Sequence, residues 1–164
     1  MSTTTMERTK REDYPTCDEF PSLTGKQTPL NLREAPGIHE HGRKNIELTR
    51  RVGLTAFPWQ CHEINAINAT KPDGTWVHSD AVLICPRQNG KSLLVALIVI
   101  YRIFVLGQNV LFTAQQWETA KELWEQAWKI VRSRKFLSKL VTSKTCSQGP
   151  VSYTHLTLPT IYSV

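Results

Sequence analysis

Twelve residues near the middle of the chain, Ala81-Val-Leu-Ile-Cys-Pro-Arg-Gln-Asn-Gly-Lys-Ser92, restrict its fold more than any other stretch. An apolar, β-type run over residues 82–84 stops at Pro86, a short polar loop follows, and Gly90-Lys91-Ser92 opens a long apolar segment that reads as a helix. Strand, loop and helix in that order suit a phosphate-binding loop. Its backbone N–H groups curl round the phosphates, and the helix N-terminus adds partial positive charge. In that reading Lys91 reaches the β- and γ-phosphates, and the Ser92 hydroxyl takes a place on Mg²⁺. Gly90 stands where main chain must approach a phosphate with no Cβ in the way.

The loop departs from the full pattern G-x-x-x-x-G-K-[ST], because Cys85 occupies the first glycine position. The flanking segments carry the reading: residues 81–84 as a buried strand, residues 91–106 as a helix apolar on almost every face, Gly107 as its left-handed stop, and residues 109–114 as a second buried strand. Strand, helix and strand with short connections predict a right-handed crossover and parallel pairing. The expected fold class is therefore α/β, a partial P-loop NTPase fold with a parallel sheet flanked by helices and a disordered N-terminal arm.

Three expected segments follow along the 164 residues. Residues 1–45 are polar, with charges of both signs and no apolar period, and read as a disordered arm in which His39 and His41 are solvated. Residues 46–149 form the N-terminal portion of an ATPase domain. Residues 45–51 read as a short helical turn at its entrance. Pro58 then suits the first turn of a helix carrying Trp59, Ile64 and Ile67, which ends before the turn Lys71-Pro-Asp-Gly74. Residues 75–78 read as a short strand. A further helix over residues 115–134 shows Trp117, Ala120, Trp124, Ala127 and Val131 on one face. The three tryptophans of that helix read as packing residues in preference to a base-stacking surface.

Residues 150–164 are set apart. From Val151 onward there is no Asp, Glu, Lys or Arg, and the stretch resembles the translation of an adapter used in sequencing libraries, so it is expected to be a non-native tail.

Charge and cysteine content narrow the partners. The net charge of +6 lies wholly in residues 51–164, since residues 1–50 hold eight basic and eight acidic side chains. Lys129, Arg132, Arg134, Lys135, Lys139 and Lys144 follow one another without an acid, which suits either a nucleic-acid contact or a solvated helix end. Four scattered cysteines without a C-x-x-C pair read as reduced thiols. The most apolar stretch, residues 93–106, is too short to span a bilayer, and no membrane partner is expected.

With these pieces placed, residues 54–134 resemble the start of the ATPase domain of a tailed-phage terminase large subunit. The resemblance rests on Pro58-Trp59-Gln60 as an upstream adenine motif, on Pro86-Arg87-Gln88-Asn89-Gly90-Lys91-Ser92 as that family's variant phosphate loop, and on Phe112-Thr-Ala-Gln115 closing the next strand. It implies ATP and Mg²⁺ as cofactors. Lys91 and Arg87 would be catalytic, with Arg87 near the γ-phosphate. Trp59, Gln60, Gln88, Asn89, Gly90, Lys91 and Ser92 would hold the nucleotide, and Ser92 the metal.

It further implies double-stranded viral DNA, a portal and a small terminase subunit as partners, a ring oligomer, and the cytoplasm of an infected bacterial host. No apolar run after Ala114 ends in Asp or Glu, so the chain is expected to be an N-terminal portion without ATP turnover of its own, lacking both the acidic catalytic strand and a nuclease domain. Two rivals stay open: a helicase-like remodelling ATPase sharing the loop, and a non-catalytic basic module binding DNA through residues 129–144.

Overall fold

In the computed structural model, residues 26–141 and the backbone of two short strands, Ser143–Ser147 and Tyr153–Thr157, are described; the expectation of a disordered arm over residues 1–25 lies outside the described residues. Five helices precede the strands: α1 (Glu40–Arg51), α2 (Pro58–Ile67), α3 (Lys91–Phe104), α4 (Trp117–Ser133) and α5 (Lys135–Ser138). The apolar α3 is the hub, packing against α1, α2 and α4, while α1 also packs on α2. Leu94, Ala96, Leu97, Ile100, Tyr101 and Ile103 of α3 are buried on more than one face, as its composition requires.

Each helix has a local cause. α1 begins with Glu40 and ends with Arg50 and Arg51, charges that complement the helix dipole. Its Gly42 lies so close to α2 that a Cβ there would stand 2.1 Å from Asn65 Oδ1 and 2.5 Å from Asn65 Cα. α2 starts on Pro58, whose missing N–H is an orphan position in any helix. α3 stops near Gly107, which takes φ +64°. α4 buries Ala120, Leu123, Ala127, Ile130 and Val131 along one stripe. Trp124 and Trp128 flank that stripe half-buried, their rings stacked 6.3 Å apart at 19°. At the end of α4, Arg134 donates from both Nε (2.9 Å) and a terminal nitrogen (2.8 Å) to the Val52 carbonyl, tying the ends of α1 and α4 together.

The expected parallel sheet is absent among the described residues, and the α/β assignment is corrected to a mostly helical fold. Residues 81–84 and 109–114 are neither strands nor paired with one another, and among the described residues neither run makes a backbone–backbone hydrogen bond. The reason is a missing partner. A β-type run becomes a strand only when a neighbour satisfies its N–H and C=O groups, and no described segment pairs with either run. Val82 is 86% exposed, Ile84 93% and Leu111 66%, whereas Leu83, Val110 and Phe112 are half-buried. One side of each segment therefore rests on the helices.

Three further differences emerge. α1 starts at Glu40, inside the stretch read as an arm. His39 flanks it, and His41 Nδ1 lies 2.9 Å from the Tyr101 hydroxyl, so neither histidine is a free loop residue. The strand expected over 75–78 is reduced to an isolated bridge between Thr70 and Trp76. Tyr153–Thr157, inside the segment set apart as a tail, pairs antiparallel with Ser143–Ser147.

Candidate functional site

The loop between residues 85 and 92 is tied to α2 and to the first turn of α3. Gln60, on the first turn of α2 and fully buried, accepts a hydrogen bond from the Phe57 N–H at 2.9 Å and donates from Nε2 to the Gly90 carbonyl at 3.1 Å. The first contact is half of a capping box, because Phe57 has no side-chain oxygen to return the bond. The second ties the loop to α2. The Gly90 carbonyl also accepts the first helical bond of α3, from Leu94 N–H at 3.1 Å.

Backbone conformation fixes the residue types. Gln88 lies at φ +63° and Gly90 at φ +82°, both left-handed. At Gly90 a Cβ would also sit 2.8 Å from Gln60 Nε2, so glycine answers both a steric and a conformational demand there. Gly90 flanks α3 without a side-chain cap, and the N–H groups of Lys91, Ser92 and Leu93 make no backbone hydrogen bond among the described residues. Three donors and the positive end of a 14-residue helix thus lie where the loop joins α3.

Lys91 supplies the formal charge. Its Nζ donates to the Cys85 carbonyl and, at 2.7 Å, to the Pro86 carbonyl, which places the ammonium at the loop entrance. Arg87, Gln88, Asn89 and Ser92 are exposed along the loop and the first helical turn. The structure brings Arg87, Gln88, Asn89, Gly90, Lys91 and Ser92 together in one short arc. Trp59 is half-buried against the core at the start of α2.

Gln60 is corrected in role. Its amide is engaged at both ends and inaccessible, so it positions the loop and does not present itself to an adenine ring. Sequence reasoning placed it in the site but missed that function; the signal available was its spacing three residues after Phe57, the capping position. Thr113, Ala114 and Gln115 are exposed and stand away from any backbone pairing.

The remaining charges are arranged outside this arc. Glu63 on α2 is more than half withdrawn from water, and burial, aided by Glu34, raises its carboxyl above the ordinary range. Glu34 itself lies 3.4 Å from His62. Among the described residues no group of three or more His, Cys, Asp or Glu could hold a metal ion, and no helix is long and apolar enough to cross a membrane.

Comparison with protein-family models, with curated proteins and with solved structures returns no match.

Proposed function

We propose that this chain binds ATP through residues 86–92 and serves as the nucleotide-binding portion of a viral DNA-packaging motor of the terminase large-subunit kind. The observation that carries the reading is the loop itself: two left-handed residues, three backbone donors without backbone partners at the head of α3, and the Lys91 ammonium at its entrance. A triphosphate suits that donor set, because it offers many acceptor oxygens to main-chain N–H groups and one cation. Gly90 leaves the approach clear, and the Gln60 amide keeps it in place.

The roles divide among this chain's residues. Lys91 neutralises the β- and γ-oxygens, Arg87 reaches the γ-end, and Gln88 and Asn89 shape the arc. Trp59 offers the base a flat face, and Ser92 offers a hydroxyl for Mg²⁺. Bound there, Mg²⁺ would draw charge from the β- and γ-phosphate oxygens. In the intact motor, coupling to double-stranded DNA, a portal, a small subunit and neighbours in a ring belongs to the same proposal. This chain alone does not turn over ATP in our reading.

A fluorescent ATP analogue titrated into the full chain, wild type against Lys91→Ala, tests the reading. Loss of a charge-assisted contact to phosphate predicts affinity weaker by roughly tenfold or more. Equal binding by two folded proteins would remove the nucleotide reading and favour the basic-module rival. Lys91-dependent phosphate release would overturn the expectation of no turnover.

A further inference from the structure

An open cavity of about 500 Å³ lies at the other end of α3, lined by Ile67, Trp76, His78, Ser79, Ala81 and Arg102. Its volume falls within the range of small-molecule sites. Arg102 lies eleven residues beyond Lys91, about 16 Å along the helix at the usual rise per residue, so the two cations serve separate places.

Arg102 is unusual for a cation in an apolar helix. It is half-buried, its Cζ stands 4.3 Å over the Trp76 ring, and it donates to the Ile67 carbonyl (3.2 Å) and to Gln108 Oε1 (3.3 Å). Both partners are neutral. No carboxylate pairs with it among the described residues. Burial lowers the guanidinium's pKa, with the Tyr101 hydroxyl working the other way. A guanidinium has five N–H donors, and these two bonds leave three with no partner among the described residues. The Trp76 ring is in turn flanked by His41, 5.6 Å away, whose Nδ1 contacts Tyr101. The platform under Arg102 is thereby braced from α1 and α3 together.

A partly desolvated cation with unused donors at the wall of an open cavity is completed most simply by an anion. We propose that this cavity binds a small phosphate-bearing ligand, with Arg102 as the charge that recognises it and His78 and Ser79 as further polar contacts. A forked guanidinium matches phosphate oxygens in pairs. One cation walled by a ring and aliphatic groups suits a compact ligand over a nucleic-acid backbone, which needs a row of cations. Asp80, exposed and between Ser79 and Ala81 of the lining, accepts the Ser79 hydroxyl at 2.8 Å, which sets one carboxylate beside the cavity.

Calorimetry and tryptophan emission on the full chain test the proposal, in a Lys91→Ala background so that the loop does not contribute. The probes are inorganic phosphate, pyrophosphate, adenosine monophosphate and a short DNA duplex. Saturable binding of at least one small probe is expected, with an emission change that Trp76→Phe abolishes. Arg102→Gln should weaken binding by roughly tenfold or more. Preference for inorganic phosphate or pyrophosphate over the monophosphate would identify a free-phosphate site; the reverse preference would identify an ester site.

Because Arg102 also holds the Ile67 carbonyl, two milder variants accompany it. His78→Ala removes a ring with no described hydrogen bond and should weaken binding. Asp80→Asn should tighten it about two- to fivefold, as a nearby like charge is removed in a solvent-exposed setting. No saturable binding, binding indifferent to both Arg102→Gln and His78→Ala, or binding of the duplex alone would overturn the proposal.

Discussion

Replacing Gln60 with leucine isolates the link between fold and loop. The side chain keeps its apolar bulk but loses both amide contacts, to the Phe57 N–H and to the Gly90 carbonyl. Each is an uncharged hydrogen bond, worth about 1 kcal/mol net. The Gly90 carbonyl keeps its bond from Leu94 and contributes no further penalty. The sum is about 2 kcal/mol, equivalent to roughly 5–10 °C in melting temperature for a domain of this size.

Urea unfolding followed by circular dichroism gives the first number. Trypsin cleavage after Arg87, in the exposed part of the loop, gives the second. Gln60→Leu should lower stability by the stated amount and, under strongly native conditions, speed cleavage at Arg87 by more than global unfolding accounts for. A variant within about 0.5 kcal/mol of wild type, cut at the wild-type rate, would falsify the assignment of Gln60 as the loop's anchor.

Four other outcomes are expected. Gly42→Ala should destabilise by about 2 kcal/mol or more, because the new methyl meets Asn65 backbone as well as its side chain and the α1–α2 approach cannot widen locally; equal urea midpoints would contradict that close approach. Arg134→Lys should cost about 1–2 kcal/mol by replacing a two-pronged grip on the Val52 carbonyl with one flexible donor, and chemical denaturation measures it. Gly90→Ala combines a left-handed penalty of about 1–2 kcal/mol with a clash against Gln60, so both stability and nucleotide-analogue binding should fall.

Glu63 gives a pH signature. Its folded pKa is raised, so the folded state holds its proton more tightly than the unfolded state does. Its contribution favours folding below the ordinary glutamate value and is lost as pH rises through the raised one. Glu63→Gln should therefore gain stability at neutral pH and lose that part of the acid-side slope; an unchanged profile from urea midpoints across pH would refute it.

Helices were legible in the residues because their signals are local. Pro58 marks the start of α2, the apolar run after Lys91 marks α3 with Gly107 beyond it, and periodicity marks α4, although the sequence favoured Trp124 for the buried stripe where Leu123 and Ile130 lie. The parallel sheet was over-read, since residues 81–84 and 109–114 have the composition of strands but pairing depends on a neighbour that composition does not supply. Within the site, the motif asked for glycine at position 90 because a Cβ would block the approach, and its left-handed φ is a second demand that the motif did not state. Gln60's engagement at both ends did not, because it joins positions thirty residues apart. The start of α1 at Glu40 was hidden for a related reason: its buried face is polar, with Asn45 and Thr49 beside Ile46 and Leu48, so an apolar period is weak there.

The open backbone of residues 81–84, bracketed by Val82 and Ile84 in water, has a practical cost in handling. Extended chain with unsatisfied amides and greasy neighbours is a template on which other copies assemble. Concentrated preparations should cloud before dilute ones at equal thermal stability, and a lysine gatekeeper in place of Ile84 should lengthen their shelf life without touching the helical core.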